Sequence, residues 1–232
     1  MSVVQRAQAL SRSVALTESA LPSFQEPRLG AADSIKRCMD IAGASLALLL
    51  SIPVMLAICA ALLPSRTNPV FAQWRVGRDG RLFRCYKFRS MVPDANRILA
   101  DHLEKHPHAQ AEWNSGFKLS RDPRITRFGA FLRRTSLDEL PQLFNILKGE
   151  MSLVGPRPIV PDEIERYGRR IHAYYRCRPG LTGLWQVNGR NLLGYPQRVR
   201  LDAFYARNQS FWMDAAILFR TVGVVVSGRG AW

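Results

Sequence analysis

Residues 41–64 read IAGASLALLLSIPVMLAICAALLP, and how this stretch is taken decides the architecture of the chain. No charged residue lies between Asp40 and Arg66. Laid out as one helix, the residues before Pro64 reach about 35 Å, against a bilayer hydrocarbon core of about 30 Å. Uncharged apolar runs of this length are rare in soluble cores, so the stretch is expected to enter a membrane. A buried soluble helix is the competing reading. A secretory signal is excluded by position, because residues 1–34 are polar and mixed. Pro53 sits in mid-segment, without an N–H to donate and with a ring that crowds the preceding turn. Ser51, two residues earlier, has a hydroxyl able to bond a freed carbonyl. Both flanks are basic, Lys36 and Arg37 before and Arg66, Arg75 and Arg78 after, which draws both ends to the cytoplasmic side. The expectation is a helix broken near Ser51–Pro53 that re-enters one leaflet. A full span stays open on length alone.

Outside this stretch the chain is strongly basic. Its 232 residues carry 33 Lys+Arg against 18 Asp+Glu, a net charge of +15. Only five of the bases are Lys, and Arg is the side chain suited to bidentate binding of phosphate and carboxylate. Residues 1–65 hold five bases and four acids, so nearly all the excess belongs to residues 66–232. A hydrophobic fraction of 47% excludes a disordered basic tail. The four cysteines form no C-x-x-C, which argues against a disulfide scaffold and for reduced structural thiols. What remains is a folded protein that meets nucleic acid, a membrane surface or a phosphorylated substrate.

The remaining pattern predicts an α-rich α+β domain. Residues 70–91, VFAQWRVGRDGRLFRCYKFRSM, show two β-prone runs around Gly77-Arg78-Asp79-Gly80, a hairpin signal. Residues 94–106 read as a helix ending before Pro107, and 114–126 as a loop. A short helix over 138–148 closes at Gly149. MSLVGPRP follows as a short strand entering a rigid turn. Residues 161–176 and 196–208 read as helices, with the glycine-punctuated loop RPGLTGLWQVNGRN between them. The apolar run 211–226 suits an interfacial or core helix.

RRTSLDELPQLFN, Arg133 to Asn145, is the most chemically suggestive stretch. One reading is a capping box, with Ser136 as N-cap and Glu139 three residues on. The other starts the helix near Asp138, so that Pro141 falls in the first turn and both carboxylates stand at the helix mouth. An acid pair with Arg133 and Arg134 upstream then suits phosphoryl transfer, one carboxylate attacking phosphorus and the other holding Mg²⁺. In Gly155–Pro158, GPRP, Arg157 is held between two prolines, either to grip a phosphate or as part of a plain turn. Lys87 and Arg89 of KFRSM share one face of a strand. His102, His106 and His108 have no completing cluster and read as surface histidines. Asp214 interrupts an apolar helix and needs a partner.

Taken together, these motifs resemble the bacterial sugar transferases, the small monotopic phosphoglycosyl transferases that begin surface-polysaccharide and glycoconjugate assembly. The resemblance covers about residues 33–232, with the apolar segment, KFRSM, DPRITRFG, RRTSLDELPQLFNILKGEMSLVGPRP, PGLTGLWQVNGRN and the closing acids in family order. The ending SGRGAW is similar to the exopolysaccharide-initiating branch. The resemblance implies that Asp138 is the nucleophile, forming a covalent aspartyl sugar-phosphate and releasing UMP. It implies that Glu139, alone or with Asp138, holds Mg²⁺. Lys87 and Arg133 match basic residues at the phosphate and the dyad, Arg157 the uridine nucleotide contact, and Asp202 and Asp214 acids of the active site. Pro53 matches the proline of a re-entrant helix, although the family commonly has Ser directly before it and this chain reads Ser51-Ile52-Pro53.

The implied reaction moves a hexose 1-phosphate from a UDP-sugar, UDP-glucose or UDP-galactose, to polyprenyl (undecaprenyl) phosphate. The implied place is the cytoplasmic face of the bacterial inner membrane, with anionic lipids and downstream glycosyltransferases as further partners; a homo-oligomer is compatible. The implied organisation is a flexible extension over 1–32, a re-entrant membrane helix over 33–64, and one cytoplasmic catalytic domain over 65–232 with membrane-surface helices. A nucleic-acid-binding protein is disfavoured, since the bases are scattered and no helix-turn-helix or RNA-binding signature is present. A non-catalytic membrane scaffold is disfavoured by the intact Asp138–Glu139 pair.

Overall fold

The structure, a computed structural model, describes residues 31–65, 67–116 and 119–227. The expected extension up to residue 30, Arg66 and the closing residues 228–232 lie outside the described residues. The chain divides into two units, 1–36 and 37–232, and of the first the described residues 31–36 open the first helix. That helix is α1 (Ala31–Leu62). It is followed by β1 (Val70–Val76), β2 (Leu82–Phe88), α2 (Ala95–Lys105), α3 (Pro107–Gly116), α4 (Arg127–Arg134), α5 (Gln142–Lys148) and β3 (Ser152–Val154). The chain ends through α6 (Ile164–Tyr167), α7 (Ile171–Tyr175), β4 (Gly180–Thr182), α8 (Leu184–Val187), α9 (Tyr195–Asn208) and α10 (Phe211–Ser227). This is the α-rich α+β class expected, with two sheets of two strands each.

Among the described residues, α1 is the one helix long and apolar enough to cross a membrane. Beyond Asp40 it is apolar all round, yet only one stripe is covered. Ala44, Ile58 and Leu62 are buried, with Ala47, Leu48, Met55 and Cys59 partly so. That three- and four-residue spacing marks a single face. It packs against Phe83, Leu143, Ile146 and Met151 at one end and against Phe88 and Leu132 at the other. The opposite face leaves Leu46, Leu49, Leu50, Val54 and Leu56 exposed, Leu50 to 71%. The break expected near Ser51–Pro53 does not interrupt the helix, which continues through Pro53. Packed residues on both sides of the proline, Leu48 and Met55, hold the helix together across the missing hydrogen bond. Ser51 Oγ donates to the Leu48 carbonyl at 3.1 Å. The carbonyl deprived of its N–H by Pro53 is that of Leu49, four residues back.

Polar contacts tie α1 to the rest of its unit. Arg37 donates from Nη1 to the Ile146 carbonyl at 2.6 Å and from Nη2 to that of Leu147 at 2.9 Å. These are carbonyls of the last turn of α5, which an α-helix cannot satisfy internally. Gly149, at φ 84, supplies the left-handed residue that ends α5. Asp40, 2% exposed, accepts from Ser152 Oγ at 2.9 Å and from Leu153 N at 3.0 Å.

β1 and β2 pair antiparallel from Val70↔Phe88 to Val76↔Leu82, turning through Asp79 and Gly80 at positive φ, as the hairpin signal predicted. β3 and β4 pair in parallel, Ser152↔Gly180 and Val154↔Thr182. Their backbones approach closely just beyond β3: a Cβ on Gly155 would meet the Gly180 amide nitrogen, and one on Gly180 would meet that of Gly155. Two expectations shift. Pro107 ends α2 as predicted but also opens α3, since the first position of a helix needs no N–H. The helix expected over 161–176 is divided at Gly168, φ 50, into short α and 3-10 pieces.

Candidate active site

Asp138 and Glu139 lie in a 3-10 turn, Leu137–Glu139, between α4 and α5. The chain enters it through Ser136 at φ 59, a conformation uncommon for a residue with a Cβ. Ser136 makes no side-chain cap, so the capping-box reading fails. Its Oγ accepts instead from Arg190 Nη2 at 3.4 Å. The α-helix begins only at Gln142, with Pro141 at its N-cap, so the two acids precede the helix rather than occupying its first turn.

β2 brings Lys87 to this turn, and its Nζ donates to Glu139 Oε1 at 2.6 Å. Asn145, fully buried in α5, sets that register. It accepts from the Tyr86 amide at 3.0 Å and donates to the Arg84 carbonyl at 2.8 Å, pinning the strand next to Lys87. Arg133 Nε donates to Ser90 Oγ at 2.9 Å. Burial pulls the Arg133 pKa down, against the opposing charges of Asp138 and Asp122.

The two carboxylates are pushed apart in acidity. Asp138, 7% exposed, is raised to about 6, chiefly by burial and further by the Glu139 charge, against Lys87 and Arg133. Burial also pushes Glu139 up, but the charge and hydrogen bond of Lys87, with Arg157 and Arg190 behind, hold it below the ordinary value. Such a divergence suits a pair with two roles.

Glu139 and Lys87 form one side of a cleft that is also lined by Arg75, Cys85, Gln142, Arg157, Pro158, Gly180, Leu181 and Gln186. Three cations face one carboxylate there, leaving a net positive charge where an anionic ligand fits. Arg157 lies 5.4 Å over the Trp185 ring, and Arg198 lies 5.5 Å from the same ring. Arg198 in turn stacks on Tyr195 at 4.1 Å. Glu163 holds this wall together. It accepts from Arg198 Nη2 at 2.8 Å and from the Val160 amide at 3.0 Å, and stands 4.0 Å from Arg75. Arg75 Nη1 donates to the Pro158 carbonyl at 3.0 Å, fixing the turn that carries Arg157.

Of the expected residues, Lys87, Glu139 and Arg157 line the cleft; Asp138, next to Glu139 in the chain, and Arg133 act on this pair by charge without lining it. Asp202 and Asp214 do not line it. Asp202, 1% exposed, accepts from Tyr167 Oη at 2.7 Å, and burial raises it to about 7. Asp214, 4% exposed, accepts from Tyr205 Oη at 2.7 Å. Ser51 and Pro53 belong to α1. His102 and His106 stack at 4.4 Å at the α2–α3 junction. Sequence reasoning missed Arg75, Gln142, Asn145, Glu163 and Arg198.

No three His, Cys, Asp or Glu side chains come together as a metal site among the described residues. Mg²⁺ often takes only one or two carboxylates and completes its shell with water and substrate phosphates. Asp138 and Glu139, adjacent in the chain, are the carboxylates that could supply such ligands, with Glu139 also holding Lys87.

A family model described as bacterial sugar transferase matches residues 31–228. Over 198 residues, 85% of this chain, it is 49% identical to the UDP-galactose-lipid carrier transferase of Erwinia amylovora. It is 50% identical over the same share to the undecaprenyl-phosphate galactose phosphotransferase of Salmonella typhimurium. The chain spans 42% of the length of each of these two relatives. It is 46% identical to the exopolysaccharide production protein ExoY of Rhizobium meliloti, of which it covers 88%.

Proposed function

Because this chain belongs to the bacterial sugar transferase family, in its exopolysaccharide-initiating branch, we propose that it transfers a hexose 1-phosphate from a UDP-sugar to undecaprenyl phosphate and releases UMP. The observation that carries the reading is a buried carboxylate, Asp138, next in sequence to Glu139, which pairs with Lys87 in a cleft also lined by Arg75 and Arg157.

The reaction runs in two displacements at one phosphorus. An Asp138 oxygen attacks the phosphorus that bears the sugar; the bond to the UMP oxygen breaks and UMP leaves. An oxygen of the lipid phosphate then attacks the same phosphorus, the Asp138–phosphorus bond breaks, and the carboxylate is regenerated. Burial strips water from Asp138 and keeps it reactive when ionised. Lys87 neutralises Glu139, and Arg157 faces the diphosphate. Mg²⁺, held by Glu139 alone or with Asp138, would neutralise phosphate charge.

We further propose that α1, unbroken at Pro53, lies against the membrane from the cytoplasmic face without spanning it, with both chain ends on that side. In support, its stripe from Ala44 to Leu62 is fastened along its own unit. A helix so fastened cannot carry its far end across a bilayer without dragging that unit along. Its exposed apolar face, and that of α10 with Trp212 79% and Phe219 84% exposed, suit a lipid surface. The scattered Arg residues suit anionic headgroups.

Purified protein with labelled UDP-glucose or UDP-galactose, undecaprenyl phosphate and Mg²⁺ should move label into the organic phase. No transfer from any UDP-sugar, under conditions where a relative is active, would sink the reading.

A further inference from the structure

Gln142 is the first residue of α5, three positions after Glu139, and lines the same cleft. It is 2% exposed, and its Nε2 is buried with no hydrogen-bond partner. A buried amide donor left unmet is destabilising, and native structures rarely retain one without a reason. Neighbouring donors differ. Arg75 is engaged with the Pro158 carbonyl and Gln73 Oε1, and Lys87 with Glu139. Asn145, one turn further along α5, has its Nδ2 satisfied by the Arg84 carbonyl and Glu150. Among the described residues lining the cleft, the buried donors left unmet are Gln142 Nε2 and Arg157 Nε, and of these Gln142 is the neutral one next to the acid pair.

We propose that Gln142 is a substrate-contacting residue, whose amide N–H₂ donates to a non-bridging oxygen of the phosphoryl group being transferred. The proposal rests on the transfer reaction put forward above. A phosphate offers only acceptor oxygens at neutral pH, which matches an unmet donor. Gln142 lines the cleft together with Glu139 and Lys87, and its place four residues after Asp138 puts it at the acid-pair end of the site. A neutral donor there binds the phosphoryl oxygen without competing for Glu139, as a further cation would. UMP, which lacks the transferred phosphoryl group, does not use this contact.

The test is Gln142→Met, which keeps the length of the side chain and removes the donor, with Gln142→Glu as a second variant that puts an acceptor in its place. Transfer from UDP-glucose or UDP-galactose should fall about 10- to 100-fold in Gln142→Met, the size of one hydrogen bond to a charged group, and further in Gln142→Glu. By titration calorimetry, affinity for UDP should fall about tenfold while affinity for UMP stays within about twofold. Because an unmet polar group has been removed, the Tm of unliganded Gln142→Met should equal or exceed that of the parent. Wild-type transfer and UDP affinity in Gln142→Met would overturn the proposal, as would equal losses for UDP and UMP with a lowered Tm. If the parent protein transfers no sugar phosphate, the reaction is wrong, and the UDP-against-UMP comparison still decides the phosphate contact. A parent that binds neither nucleotide overturns both.

Discussion

Acids in two regions of the described residues are met in different ways. Asp202 and Asp214, 1% and 4% exposed, each accept a 2.7 Å hydrogen bond from a tyrosine hydroxyl, Tyr167 and Tyr205. Asp138, 7% exposed, and Glu139 are surrounded by cations, Lys87 and Arg133 nearest, at the edge of a cleft. A tyrosine is a neutral donor fixed by its own packing, so it secures a carboxylate as part of the scaffold; Asp202 is held in addition by the Arg157 backbone and by the charges of Arg198 and Arg157. A lysine or arginine at an opening can exchange one anion for another. Burial alone thus does not mark an acid as functional; the kind of partner and the presence of open space do.

The contrast breaks most sharply at Asp138. Asp138→Asn should reduce transfer by about a thousandfold or more and abolish the covalent sugar-phosphate adduct, read by mass spectrometry. An intact adduct would place the nucleophile elsewhere. The same variant should be more stable than the parent at pH 8. The folded pKa of about 6 lies above the ordinary 3.8, so the native state disfavours the ionised form. The parent loses stability as pH rises from 3.8 to 6 and does not regain it, while Asn avoids this loss. The advantage in Tm should therefore be full above pH 6 and fade toward pH 4.

At the other pair the order reverses. Asp214→Ala should lower stability by about 1–2 kcal/mol, because the Tyr205 hydroxyl loses its carboxylate and keeps the weaker Val154 carbonyl at 3.0 Å as acceptor. Asp202→Asn retains an acceptor for Tyr167 and should cost about 1 kcal/mol, with transfer changed less than tenfold in folded protein. Urea titration and the lipid-extraction assay together read both quantities. A catalytic loss at Asp202 as deep as that at Asp138 would erase the distinction between the pairs. A further reading concerns pH. Since the attacking carboxylate must be ionised, transfer should fall as pH drops through about 6, by about tenfold per unit below it.

The acids of the cleft were legible in the sequence, as were Lys87 and Arg157, because their motifs are compact. The hairpin was legible through Gly77 and Gly80, and α1 through its uncharged length. What escaped depends on contacts distant in sequence. Nothing local says that Asn145 holds β2 in register, or that Glu163 joins Arg198 to the turn carrying Arg157. The capping expectation failed at Ser136 because local pattern matching assumes an ordinary backbone, and this residue is left-handed. Pro53 misled for a related reason: its effect on a helix depends on what packs at either side.

The meeting of Gly155 with Gly180 has a consequence for how this protein can change over generations. Each position forbids a side chain on the other's account, and Gly183 presses on the Gly155 carbonyl in the same way. Replacing one leaves the others as obstacles, so no single step leads away and no second step compensates for the first. Drift is free to alter the exposed face of α10 or the surface arginines, but this knot of backbone beside the cleft is an inheritance that can only be kept or lost whole.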